Sequence, residues 1–331
     1  MKYPNIDMHC DTLLRTMMNG AASLYDGEGM QSIRQMKEAG QMAQFFAVFF
    51  PPRDMKPKGD GRKPPFMLPP DDEFYEMLKK YLREQVEQHK DVIALARTGE
   101  DIEKNAARGL ISAILSIEDG RFVNGSMDKL KSLREDGVCA ISLTWNFPNC
   151  FGFPNSKDAD LMSKGLTDFG KEAIGVMNDI GILVDVSHLS DGGFWDVVEL
   201  SQKPFVATHS NCRALSPHTR NLTDDMIRTM AQKGGVSGLN FGPEFLSPDI
   251  SNKNSTIEHL ANHVLHMLNV GGEDFPAFGT DFDGIGGSFE VGHPTEMDKL
   301  FSVLEKKGMT ASQLEKFASK NVLRVMKECC I

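Results

Sequence analysis

The sequence predicts an α/β fold: one (β/α)8 barrel of the TIM type with a C-terminal helical extension. Eight short runs recur along the chain, and most are near-continuous in apolar residues rather than alternating, as expected of parallel strands buried on both faces. Helix-like stretches separate them, and eight alternations of strand and helix favour a closed barrel. The competing architecture, a doubly wound open sheet, usually carries a Gly-rich phosphate loop after its first strand. Here the first run ends in His-Cys-Asp instead. For 331 residues a length of about 150 per domain suggests two domains, but single barrels commonly run past about 250, so residues 1–331 are read as one domain.

Taken in order, the expected strands are residues 5–11 (NIDMHCD), 43–50 (AQFFAVFF), 110–118 (LISAILSIE), 138–145 (VCAISLTW), 182–188 (ILVDVSH), 205–210 (FVATHS), 235–240 (GVSGLN) and 277–281 (AFGTD). Helices are expected at 72–88, 126–135, 167–180, 223–233 and 256–268. Ser126 followed by Asp128, and Thr223 followed by two aspartates, are helix-start signals, because a hydroxyl can accept from an unpaired first-turn N–H while acids favour the positive end of the helix. Residues 310–326 (TASQLEKFASKNVLRVM) read as a closing helix. The segment 51–70 holds 7 of the 16 prolines and five basic residues, and it is expected as a loop insertion after the second strand, either a solvated excursion or a wall over the C-terminal face.

Composition narrows the function class. Lys and Arg number 36 against 46 Asp and Glu, a formal charge of −10, which argues against a nucleic-acid partner, since such surfaces need clustered positive charge. No apolar stretch is long enough to span a bilayer and the start lacks the apolar core of a secretory signal, so no membrane association is expected. The six cysteines fall outside any framework or CxxC spacing, and a cytoplasmic chain with free thiols is the simplest expectation.

Function is written at the strand ends. His9 and Asp11 close the first run, and in an extended segment residues i and i+2 face the same side. Glu118 ends the third, His188 the fifth, His209 the sixth and Asp281 the eighth. Five strands thus deliver six metal-competent side chains to the end where barrel enzymes keep catalytic groups. Imidazole with carboxylate suits zinc, whereas magnesium and calcium prefer oxygen. Three histidines and several acids exceed the needs of one tetrahedral ion, and suit two ions about 3.5–4 Å apart. Glu118 lies between the two groups in strand order and is the expected bridge. Two such ions can share a hydroxide of lowered pKa, so metal-assisted hydrolysis of an amide, ester or similar bond is the reaction class implied.

These residues and their surroundings resemble the membrane dipeptidase (renal dipeptidase) family of the amidohydrolase superfamily. The matching segments are Ile6-Asp-Met-His-Cys-Asp11, Ser116-Ile-Glu-Asp-Gly120, Asp185-Val-Ser-His188, Thr208-His-Ser210, Arg220-Asn221 and Gly279-Thr-Asp-Phe-Asp-Gly284. The resemblance implies a dipeptide substrate and two zinc ions, with cobalt or manganese as substitutes. One ion would be held by His9, Asp11 and Glu118, the other by Glu118, His188 and His209. It implies that Asp281 exchanges a proton with the attacking water and the leaving amine, that Arg220 receives the substrate carboxylate, and that a D-residue is tolerated at the second position. The family's tendency to dimerise has no counterpart in any interface signal of the sequence. One position departs: the family commonly reads Leu-Thr-His where this chain has Leu143-Thr144-Trp145. An indole donates one hydrogen bond and cannot titrate, so Trp145 either serves as an oxyanion donor or shapes the pocket wall.

Other candidates weigh less. His259, His263 and His266 share a predicted outer-ring helix, away from the strand ends. His218 is close enough to Arg220 to line the site, Asp283 is a candidate support for the ligands, and Asp185 either supports them too or faces the helix layer. Cys10 points away from its neighbours by alternation, and Cys329 and Cys330 read as terminal and inert. Two alternatives to a dipeptidase stay open: another hydrolase of the same type, acting on N-acyl amino acids or lactones, and a non-catalytic barrel that binds metal or peptide, which would be expected to lack a ligand or Asp281.

Overall fold

The computed structural model describes residues 2–18, 20, 23–52, 68–249 and 251–331. Its centre is a closed ring of eight parallel strands: β1 (Ile6–Asp7), β2 (Ala43–Phe49), β3 (Ile111–Glu118), β4 (Val138–Ser142), β5 (Leu183–Asp185), β6 (Val206–Ala207), β7 (Val236–Leu239) and β8 (Pro276–Phe278). Each strand pairs with the next, and β8 returns to β1 through Asp7 and Phe278. Phe49 pairs with Glu118, Glu118 with Ser142, and Ser142 with Asp185, so the C-terminal ends of β2 to β5 reach one level at the rim.

Ser126, Thr167, Ser190, Thr223 and Thr256 each precede a helix in extended conformation, and each side-chain oxygen accepts a backbone N–H of the first turn. Caps of this kind contribute about 1 kcal/mol apiece, which is why these hydroxyl residues mark the helix starts. The closing helix runs as Ala311–Glu315, a π-helical turn at Lys316–Lys320, and Asn321–Cys329. Val322, Val325, Met326 and Cys329 recur at helical spacing and join Ile6, Phe45, Ile114, Leu183 and Val206 in one buried cluster. Asn321 donates to the carbonyl of Pro276 at the start of β8. The helix therefore plugs the N-terminal mouth of the barrel and leaves the opposite mouth for chemistry. Cys329 and Cys330 are buried in that plug, not merely terminal.

Two pairings were not anticipated. A strand at Ile93–Leu95 lies beside the start of β3, and a parallel pair joins Asn254–Ser255 to Ser288–Phe289 in the rim loops. Runs of two or three residues are too short to leave a period in the sequence. Most of the proline-rich insertion at 51–70 lies outside the described residues. Among the described residues no helix is long and apolar enough to cross a membrane.

Candidate metal centre

The true strands are shorter than the apolar runs, and the site is built on the turns that follow them. Glu118 is the last residue of β3. His9 and His209 lie two residues beyond β1 and β6, and His188 and Asp281 three beyond β5 and β8. All five expected ligands are buried, Asp11 included, and so is Asp281. His188 and Asp281 take φ of 70° and 62°, the left-handed region that costs a non-glycine residue about 1 kcal/mol or more. Hydrogen bonds hold both turns: Asn155 N–H donates to the His188 carbonyl at 2.7 Å, and Asp281 N–H to the His9 carbonyl at 3.2 Å. Gly284 is required beside them, because a Cβ there would overlap the carboxylates of Asp11 and Asp281.

Glu118 sits at the centre with its two oxygens turned to different partners. Oε2 lies 3.5 Å from His9 Nε2. Oε1 lies 3.0 Å from His188 Nε2 and 3.6 Å from His209 Nε2. Around His9 Nε2 stand Asp11 Oδ2 at 3.9 Å and Asp281 Oδ1 at 3.8 Å. Ligand atoms of His9, Glu118 and His209 form one group lying within 4.8 Å of one another, and those of His9, Asp11 and Asp281 form a second. His9 is common to both groups. By residue type and by neighbours the rim divides into an acidic half, with His9, Asp11 and Asp281, and an imidazole half, with His188 and His209.

Charge is unevenly spread between these halves. Burial alone would lower the pKa of His9, but the Glu118 and Asp11 carboxylates hold it well above the usual value. Burial, reinforced by Glu118, raises Asp11 to about 6. Burial raises Asp281 to about 8, with Asp11 and Glu118 adding to the rise against the attraction of His9. In the imidazole half, burial and the Arg220 charge lower His188 to about 4, and burial with the His9 charge takes His209 well below 6.5.

Residues behind the ligands fix their orientation. Thr208 Oγ1 donates to Asp185 Oδ2 at 2.7 Å, so its lone pair receives His209 Nδ1–H, also at 2.7 Å. His188 Nδ1–H is likewise received by Asn146 Oδ1 at 3.2 Å. Both arrangements leave an unprotonated Nε2 facing Glu118, the tautomer a metal needs. Asp185 also accepts from Ser142 and from the Ser187 and Thr208 N–H groups, which places it inside the barrel as a support. Asn240 donates to Asp281 Oδ2 at 2.9 Å, and the Gly242 N–H at 2.7 Å fixes which way that amide points. Asn146 and Asn240 were not singled out from sequence, and Thr208 stood there only within the matching Thr208-His-Ser210 segment, without a role. Asn240 ends the seventh apolar run, so the strand-end rule that selected the others applies to it equally.

Arg220 is buried over the tip of β6, where Nη1 donates to Ser210 Oγ and Nη2 to the His209 carbonyl, both at 3.2 Å. Its Nε is buried without a partner, and among the described residues no carboxylate lies within ion-pair distance of the guanidinium. Trp145 is half-buried, with its ring centroid 6.2 Å from that of His188. His218 does flank Arg220: its Nδ1 accepts the Arg220 N–H at 3.1 Å and its ring packs on Phe245. Asp283, at φ 72°, turns away to Thr12 and the Met30 N–H, pinning the loop after the first helix. His263 accepts from Cys212 N–H and reaches the Leu246 carbonyl, while His266 pairs with Asp224, so that helix is structural. Cys10 points into the core toward the Phe45 carbonyl.

The donor set fits a divalent metal. His9 Nε2 and Asp11 Oδ1 are buried with no hydrogen-bond partner, an arrangement that costs free energy unless a cation satisfies both. Neutral imidazoles and crowded carboxylates at the C-terminal rim of a parallel barrel define a metal-dependent hydrolase. Comparison with known proteins narrows that class. A family profile described as membrane dipeptidase (peptidase family M19) matches residues 1–330. An uncharacterised Klebsiella pneumoniae protein, encoded in the pqqA 5′ region, is 35% identical over 242 residues, 71% of this chain and 88% of its own. Among solved structures, a dipeptidase described as a metallopeptidase superposes with TM-score 0.87 at 28% identity, covering 100% of this chain and 99% of the other. A Rhodobacter sphaeroides metallopeptidase, liganded with a phosphinate mimic of the dipeptide L-Ala-D-Ala, gives 0.88 at 28% identity and 99% of both chains. The chain belongs to the membrane dipeptidase family and is a metallopeptidase.

Proposed function

We propose that this metal-dependent dipeptidase works with two zinc ions, one held by His9, Asp11 and Glu118 and the other by Glu118, His188 and His209. The observation that carries this reading is the divided Glu118 carboxylate, with Oε2 on His9 and Oε1 on His188 and His209. Bound there, divalent ions would supply Lewis acidity and a water acidic enough to attack an amide near neutral pH. Asp281, with one oxygen tied to Asn240 and the other facing His9, would take the proton of the attacking water and return it to the leaving amine. Arg220, a buried cation without a carboxylate partner, receives the free carboxylate of the substrate and thereby limits substrate length. Trp145 stands beside His188 as part of the substrate-binding wall. A D-residue at the second position is expected to be accepted, in keeping with the mimic bound by the Rhodobacter sphaeroides relative.

Chelation followed by reconstitution tests the metal. Activity should vanish with metal and return with zinc, cobalt or manganese at two ions per chain. Hydrolysis that survives full metal removal contradicts the reading. A panel of L,L- and L,D-dipeptides, their C-terminal amides, an N-acyl amino acid and a lactone tests the substrate. Free dipeptides should lead and their amides should fail; a preference for the lactone or the N-acyl amino acid would reassign the reaction.

A further inference from the structure

The rim away from Arg220 carries an aromatic shelf that neither metal binding nor proton transfer uses. Phe49 closes β2 in register with Glu118, so by strand alternation it shares the inward face of that glutamate. Its ring centroid is 4.8 Å from that of Trp145, and Trp145 lies 6.1 Å from Phe147. Phe147 is 53% exposed. The other exposed large apolar side chains among the described residues are Leu95, Trp195 and Ile331, on an edge strand, an outer helix and the C-terminus. Phe147 is the one that stands at the mouth of the site.

Barrel geometry decides which part of a substrate meets this shelf. The Arg220 guanidinium is fixed over β6. In a ring of eight, β2 is diametrically opposite β6, and β4, which delivers Trp145 and Phe147, lies midway between them. Two residues of extended chain span about 7 Å. A dipeptide with its carboxylate on Arg220 and its amide over Glu118 therefore directs its N-terminal residue toward the β2–β4 arc. We propose that Phe49, Trp145 and Phe147 form the subsite for the side chain of the N-terminal residue and select large apolar, above all aromatic, side chains there. This inference rests on the dipeptidase reading above. Tilted ring contacts and apolar burial reward an aromatic side chain, whereas a charged one would lose water and gain no partner. Trp145 then acts as a wall of the pocket rather than as an oxyanion donor.

The test uses the metal-loaded full chain on two substrate series, X-Ala and Ala-X, with X as Gly, Leu, Phe, Lys and Glu. kcat/KM for Phe-Ala should exceed that for Gly-Ala by about 10- to 100-fold, the span apolar pockets achieve. Trp145→Ala and Phe147→Ala should each shrink that ratio severalfold or more, with metal content unchanged. Phe147→Ala, at an exposed position, keeps the test decisive should Trp145→Ala fail to fold. A flat X-Ala series in a chain that still cleaves dipeptides overturns the shelf alone. So does a ratio unmoved in the Phe147 variant, or discrimination that the variants lose in the Ala-X series instead. Failure of the metal-loaded chain on every dipeptide would overturn the dipeptidase reading and the shelf together.

Discussion

The two halves of the rim meet at Glu118 but differ in the charge they store. Around His9, burial reinforced by the crowding of the Asp11, Asp281 and Glu118 carboxylates raises Asp11 to about 6 and Asp281 to about 8, and the carboxylates hold the imidazole well above its usual value. Around His188 and His209 the excess runs the other way, because burial and the nearby positive charges of Arg220 and His9 keep both imidazoles neutral. The acidic half crowds negative charge that a cation would neutralise; the imidazole half offers lone pairs. A single ion at either half would leave one of these imbalances in place. Two ions joined through Glu118 would engage both, which is the physical reason for proposing a pair.

The comparison breaks most severely at its hinge. Glu118→Gln removes the charge and one acceptor shared by both halves, and should cost both metals and at least about 10³-fold in kcat, since metal assistance is worth several kcal/mol. Metal analysis with activity on the best dipeptide checks this; two retained ions would show that the halves do not depend on the shared carboxylate. Asp281→Asn probes the acidic half alone. The amide keeps its size and neighbours but cannot carry a proton, so metal content should hold while kcat falls about 10²-fold or more. Wild-type kcat would remove Asp281 from proton transfer.

A pH series sharpens the contrast. Metal binding displaces protons from its ligands. From pH 6 upward the acidic half has ligand protons to displace, on His9, held well above its usual value, and on Asp11, raised to about 6, whereas His188, at about 4, has none. Affinity at the acidic half should therefore climb with pH, by up to about tenfold per unit for each proton released, and affinity at the imidazole half should stay nearly flat. Cobalt titrations at pH 6 and pH 8 should show two sites that converge as pH rises. Two sites with the same slope would contradict the charge assignment.

How far this site was legible in sequence depends on what each residue does. The ligands were visible because a parallel strand is an apolar run and a polar side chain at its end has little structural reason to be there; Glu118 after ISAILSI is the clearest case. His9 and Asp11 also kept strand alternation, as Cys10 between them shows by facing the Phe45 carbonyl. Alternation failed at His188 and Asp281. From Asp185 to His188 is an odd step, which should put the two on opposite faces, yet both lie inside because the chain turns through positive φ at His188. The same kind of turn at Asp281 and Asp283 sends Asp283 to Thr12 and Met30 rather than into the site. Supporting residues were the least legible. Thr208 and Asn146 act through one hydrogen bond each to a ligand, and nothing in residue type or spacing distinguishes such a bond from any other loop contact.

Thr208→Val is the finest cut through the comparison, since valine matches threonine in shape and removes only the hydroxyl. That hydroxyl gives its one proton to Asp185 and so can only accept from His209. Without it, Nδ1 has lost its acceptor, the ring is free to place its proton on Nε2, and Asp185 loses one of its donors. Loss of such an orienting partner typically weakens metal binding about 10- to 100-fold. The loss should fall on the imidazole half, while the acidic half keeps its affinity and its pH slope. Thr208→Ser, which retains the hydroxyl, should recover most of it. If Thr208→Val binds both ions as the parent does, the neutral character of His209 comes from burial and the surrounding positive charge alone, and the relay through Asp185 has no part in it.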